Sequence, residues 1–239
     1  WGMLNRWRKL RFRTKSARLK LVALVTGARG TLVDLSPEEL RDHAVAVGLK
    51  LATGPVTINK LATVMTAVDE ALFRARGFRF HDTQLQAGLL LSTGHFAEMA
   101  TGEGKTLTAT LPVAVHGLAG CGVHVVTVND YLAERDAEEV TSILEQMGLS
   151  VGCAIHDMEP PAKQQSYSCD VTYCANKELV FDYLRERARV ERASPLAYRL
   201  QLSGIGRVFD QNGPLVNRLD FVLIDEADSV LIDEANIPL

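Results

Sequence analysis

The chain has 239 residues, 47% of them apolar and 23% charged, with 8 prolines and a formal net charge of −3. This composition excludes a disordered, collagen-like or disulfide-stapled chain and suffices to bury a sizeable core, as one large domain or one domain with a small appendage. No window is apolar over the length that a membrane-crossing helix needs.

Charge is unevenly distributed. Residues 1–30 hold nine Lys/Arg (Arg6, Arg8, Lys9, Arg11, Arg13, Lys15, Arg18, Lys20 and Arg29) and no acid, which leaves 17 basic against 29 acidic residues downstream. Leu4, Trp7, Leu10 and Phe12 interleave with the first of these charges. The segment reads as an amphipathic stretch for an anionic membrane surface, an arm for phosphates, or a solvated terminus. It lacks the apolar run and small-residue cleavage site of a secretory signal.

Ser36-Pro37-Glu38-Glu39 places a Ser cap before Pro at the first helical position, with two acids in the first turn, and predicts a helix to about Ala52. Thr53-Gly54-Pro55 breaks it. Leu61, Val64, Met65, Val68, Ala71 and Leu72 recur at helical spacing, so Thr57 to Arg76 predicts a second helix, ended by Gly77. From Phe78 onward the pattern changes to short β-branched runs at 124–128, 151–155, 170–173 and 221–224, separated by helical stretches at 131–147 and 177–189. That alternation is the signature of βαβ units and a parallel sheet with its chemistry in the loops at the strand ends. Residues 190–219, with Gly204, Gly206, Gly213 and Pro214, read as an irregular insertion.

Cys121, Cys153, Cys169 and Cys174 form no C-x-x-C pair, and the six histidines form no H-x-x-x-H pair. The pattern argues against a zinc site and for reduced core thiols in a reducing cytoplasm.

The sharpest motif is Thr101-Gly102-Glu103-Gly104-Lys105-Thr106, a glycine-containing loop that enters a helical stretch. Glycines let successive backbone N–H groups converge on phosphate oxygens, the helix N-terminus adds positive potential, Lys105 reaches the β and γ phosphates, and the Thr106 hydroxyl can ligate Mg²⁺. Met99 stands where the strict phosphate-loop pattern has its first glycine, so the match is to the T-G-x-G-K-T variant of helicase-like motor ATPases. Downstream, the apolar run Phe221–Ile224 delivers Asp225-Glu226-Ala227-Asp228. An Asp there can hold Mg²⁺ through water, and the next acid can orient and deprotonate the attacking water. Gln84 lies upstream, where such ATPases place a glutamine on the adenine edge. Arg135 reads either as a nucleotide or partner-domain contact or as a helix-surface ion pair. Asp233 and Glu234 repeat the acid pair and read as structural or hinge positions.

In these motifs the chain resembles the N-terminal part of the SecA family of preprotein-translocation ATPases. The matching strings are Ala97-Glu98-Met99 with Thr101 to Pro112, Gly122 to Ala133 with Arg135 to Glu138, Phe181 to Arg185, and Asp225 to Ala235 with Pro238-Leu239. The resemblance implies a RecA-like P-loop NTPase: an α/β three-layer sandwich with a mainly parallel sheet and an N-terminal helical extension. It divides the chain into a basic arm (1–33), a helical extension (34–77) and a first nucleotide-binding domain (78–239). It implies ATP and Mg²⁺ as cofactors, with Gln84 on adenine, Gly102, Glu103, Gly104, Lys105 and Thr106 around the phosphates, Arg135 near the nucleotide, Asp225 on the metal and Glu226 on the water. Lys105 and Glu226 are then the catalytic pair.

Implied partners are a SecYEG-type channel, unfolded preproteins and acidic phospholipid on the cytoplasmic face of the inner membrane, with homodimerisation open and nucleic acid not expected. Ala100 stands where the family has Arg, Asn236-Ile237 where it has Arg-Thr, and Cys174-Ala175-Asn176 where it has Gly-Thr-Asn, which mark a divergent or accessory member. The family continues past the end of this string into a preprotein-binding domain and a second motor domain with an arginine finger. The expectation is a fragment that binds nucleotide and turns it over poorly. The other readings are a D-E-A-D helicase motor and a degenerate nucleotide-binding scaffold.

Overall fold

The computed structural model describes residues 14–193, 215–216 and 218–233. The elements run α1 (Lys15–Ala28), α2 (Pro37–Thr53), α3 (Ile58–Arg76), α4 (Asp82–Ser92), α5 (Lys105–Leu118), β1 (Val123–Thr127), α6 (Asp130–Gln146), β2 (Val151–Ala154), α7 (Pro160–Ser168), β3 (Val171–Ala175), α8 (Asn176–Ala193) and β4 (Phe221–Ile224), then a π-helical turn (Ser229–Asp233). The four strands form one parallel sheet in the order β2-β3-β1-β4.

Side chains alternate across this sheet and define two unequal cores. Val123, Val125, Val171, Tyr173 and Leu223 face the larger one, built with α1 to α6, while Val126 and Cys174 face a smaller one with Ala154 and Tyr167 of α7. Both central strands are buried along their whole length, which is why β-branched residues recur in them without apolar-polar alternation. Helices therefore cover both faces, the three-layer arrangement expected of alternating βα units.

Local chemistry sets the helix ends. Ser36 and Glu39 form a reciprocal capping box: the Ser36 N–H donates to Glu39 Oε2 at 2.7 Å and the Glu39 N–H to Ser36 Oγ at 3.2 Å. The bond from the Ser36 backbone, above all, holds the Glu39 carboxyl below its usual range. Gly77, at φ 79°, ends α3 in the left-handed conformation.

Strand β4 coincides with the expected 221–224, and the other strands shift by a residue or two. Three helices depart from expectation. The basic N-terminal segment contains α1, whose Leu21, Val22 and Val25 are buried, so from Lys15 the segment is packed structure rather than a solvated arm. The second is α4, whose N-cap is His81, and the third is α7, which begins at the prolines 160 and 161. Residues 1–13, most of the expected insertion at 190–219, and Glu234 and Asn236-Ile237 lie outside the described residues. Among the described residues no helix is long and apolar enough to cross a membrane.

Cys121 and Cys174 are buried, and burial pushes their thiols up to about 11 and about 12. Such thiols are inert neutral core groups at physiological pH.

Candidate nucleotide site

Helix α5 runs antiparallel to the strands it covers. Its C-terminal His116 stacks on Phe221 at the start of β4, with ring centroids 3.7 Å apart and planes 12° from parallel. From that anchor the helix climbs about 16 Å to Lys105, while β4 climbs about 13 Å to Asp225. The phosphate loop and the Asp225-Glu226 pair, 120 residues apart in the chain, thus arrive at the same end of the sheet.

Gly102 at φ 85° and Gly104 at φ 74° give the loop its shape, a conformation that side chains with a Cβ rarely adopt. The Glu103 carboxylate turns back and accepts the Ala100 N–H at 3.1 Å, and the Glu103 N–H donates to the Ala100 carbonyl. Glu103 therefore closes the loop upon itself. Gly104 is the N-cap of α5 and makes no side-chain cap to the first helical N–H groups, an arrangement able to receive an anion. Lys105 makes no ion pair with another described residue.

Gln84, only 8% exposed, is held from both sides. Its Oε1 accepts the His81 N–H at 2.8 Å, and its Nε2 donates to the Glu103 carbonyl at 2.9 Å. Here the side chain ties the start of α4 to the phosphate loop. A Cβ on Gly104 would stand 2.7 Å from Gln84 Nε2 and push that amide from its place on the Glu103 carbonyl.

Thr106 Oγ1 donates to Asp136 Oδ1 at 3.4 Å, and Arg135 donates to the same oxygen from Nε and Nη2 at 3.0 and 2.7 Å. Both readings of Arg135 are compatible with this placement: it is a half-exposed ion pair at the head of α6, near the Thr106 end of the loop. Asp136 is a further polar residue of this group, and its position in the sequence signals it. It sits on the buried stripe Ala133, Asp136, Ala137, Val140, where an acid needs a polar task.

At the strand end, the Asp225 N–H continues the ladder to the Val126 carbonyl at 2.9 Å, and the Glu226 N–H donates to Asp225 Oδ1 at 2.9 Å. Glu226 has φ 51°, the one non-glycine in the left-handed region among the described residues. That conformation costs on the order of 1 kcal/mol and points to a positional requirement on this acid. Below it, the Tyr173 hydroxyl is buried without a hydrogen-bond partner, and burial, then the charges of Asp136 and Asp225, raise its pKa. Asp233 is exposed at the end of the π-helical turn after the acid pair, a turn that buries Val230.

The model of the SecA DEAD-like domain family matches residues 5–239. The chain belongs to that family. Among its relatives, the protein translocase subunit SecA of Francisella tularensis subsp. novicida (strain U112) is 40% identical over 208 residues, covering 87% of this chain and 22% of that protein. The SecA subunit of Francisella philomiragia subsp. philomiragia is 41% identical over the same length and shares. The chain thus spans about a fifth of the relatives it matches.

Proposed function

We propose that this chain is the first nucleotide-binding half of a SecA-like motor, in which ATP hydrolysis drives preprotein export through a SecYEG-type channel. What supports the reading is that Gly104-capped α5 and the Asp225-Glu226 turn both reach the same end of the sheet, in a chain of this family. The oxygen-donor set of Thr106 and Asp225 fits a hard cation such as Mg²⁺, and the loop's free N–H groups with Lys105 fit the phosphates of ATP. Bound Mg²⁺ would neutralise charge developing on the phosphates.

The chain's own residues do the rest. Lys105 and the α5 N-terminus hold the phosphates, Gln84 meets the adenine edge and keeps the loop shaped, and Asp136 orients Thr106. Glu226, raised on its strained turn, orients the attacking water and takes its proton. Arg135, paired with Asp136, responds to the nucleotide or to a second motor domain. A second domain contributing an arginine would add a factor on the order of 10³ to 10⁵ in rate, so residues 78–239 alone turn over slowly. The basic arm of residues 1–33 serves acidic phospholipid and the channel, on the cytoplasmic face of the inner membrane.

Glu226→Gln in the whole protein is the test. Mg·ATP binding stays within about twofold and turnover falls by roughly 10² to 10⁴. The parent ATPase rises with acidic vesicles and unfolded preprotein. Stimulation by RNA instead, or equal turnover in variant and parent, contradicts the reading.

A further inference from the structure

The C-terminus of α1 is tied to the nucleotide site through one buried carboxylate. Asp69 of α3 is fully buried and accepts from three directions. Arg29, the residue that ends α1, donates to it from Nε at 3.0 Å and from Nη2 at 3.2 Å. Arg79 donates from Nη1 at 2.9 Å, and the Phe80 backbone N–H at 2.9 Å. The same Arg29 Nη2 also donates to the Phe80 carbonyl at 2.6 Å. Both polar groups of Phe80 are therefore clamped between α1 and α3.

The next residue is His81, whose N–H binds Gln84, whose amide in turn binds the carbonyl of Glu103 in the phosphate loop. Arg79 is fixed independently, with Nη2 on Glu70 at 2.7 Å and its guanidinium 4.4 Å above the Phe73 ring. Glu70 also takes Arg74 Nε at 3.0 Å. Arg29 is thus the member of this group that belongs to the N-terminal basic segment, and α1 packs directly against α4 as well as α3.

We propose that Arg29 and Asp69 form a positioning latch, through which the seating of the N-terminal basic helix sets the placement of Gln84 and of the phosphate loop, and hence the affinity for adenine nucleotide. The inference rests on the nucleotide-binding reading and adds a route by which whatever engages the basic segment acts on the nucleotide. Because coupling free energy is reciprocal, nucleotide binding also tightens the seating of α1.

Arg29→Gln in the whole protein removes the fork that bridges Asp69 and the Phe80 carbonyl. Arg29→Lys keeps the charge but offers one compact donor group in place of a planar fork. Lys20→Gln removes a charge from the exposed face of α1 and leaves the latch alone, so it serves as the control. Two readouts are taken: amide hydrogen exchange of the unliganded protein, and titration with Mg·ATP.

The latch predicts faster exchange at residues 81–85 and 101–105 in Arg29→Gln and a Kd for ATP weakened about fivefold or more. Arg29→Lys is intermediate, and Lys20→Gln is unchanged in both. Exchange altered only within α1 and α3, or ATP affinity equal in Arg29→Gln and Lys20→Gln, overturns the latch. A parent that binds no nucleotide would refute the function proposed above, while the exchange comparison would still decide the latch.

Discussion

His116 makes the stability of this fold depend on pH in a direction that the structure specifies. Its ring is buried on Phe221, and its Nε2, facing the Ser92 carbonyl at 3.0 Å, must be the protonated nitrogen of a neutral imidazole. Burial pushes its pKa down to about 4 from an ordinary 6.5. The unfolded chain takes up a proton near 6.5 that the folded chain refuses until about 4, so stability is full above 6.5 and falls as the pH drops through that window. The whole effect is about 3 kcal/mol, of which about 2 kcal/mol is lost between pH 7 and pH 5.

His116→Gln keeps an N–H at the Nε2 position and removes the titration. Urea unfolding of parent and variant at both pH values isolates the term, since His124, which burial also pushes down to about 4, is common to both. The parent should lose about 2 kcal/mol more than the variant on acidification. Equal losses would refute the claim that the ring is held neutral between α4 and β4.

Lys163→Met should cost about 1.5 to 3 kcal/mol at neutral pH, because it takes the ammonium from two carboxylates, Glu178 at 2.6 Å and Asp182 at 2.9 Å, and leaves them to His156 and the Tyr167 hydroxyl. Burial would raise Glu178, but its bonds to Lys163 and His156 win and lower it. Its stabilisation is therefore lost as pH falls through that lowered value, and the gap between parent and variant in urea unfolding should narrow in acid. Gly88→Ala should lower stability by about 1 to 3 kcal/mol, because the new Cβ would meet Leu111 Cδ1 at 2.6 Å where α4 crosses α5. A thermal midpoint unchanged by that substitution would mean the two helices are farther apart than described.

The fold was legible wherever local chemistry and tertiary packing agree. Ser36-Pro37 with Glu39 announces α2, Gly77 ends α3, and the apolar run 221–224 is β4 to the residue. Helix α4 was not, because it is apolar on most sides and is capped by a histidine rather than by Ser, Thr, Asp or Asn. Helix α7 was hidden because paired prolines read as a break, although proline in the first turn of a helix leaves nothing unsatisfied. In α1 the charges of Lys15, Arg18 and Lys20 masked the spacing of Leu21, Val22 and Val25.

At the candidate site, the loop-to-helix and strand-to-turn geometry was legible because Gly102 and Gly104 mark positive-φ positions before α5 and an apolar run marks β4 before the acids. The tasks of Asp136 and Asp69 were not, since a buried acid takes its meaning from partners 30 or 40 residues away.

The central claim is that the loop from Gly102 to Thr106 holds the phosphates of a nucleotide, and Mg²⁺-dependent titration of a fluorescent ATP analogue tests it most directly, with Lys105→Ala alongside. Saturable binding in the parent that requires Mg²⁺ and is lost in Lys105→Ala is the predicted result. Equal binding by parent and variant would place the nucleotide elsewhere, and a correctly folded parent that binds none would contradict the account.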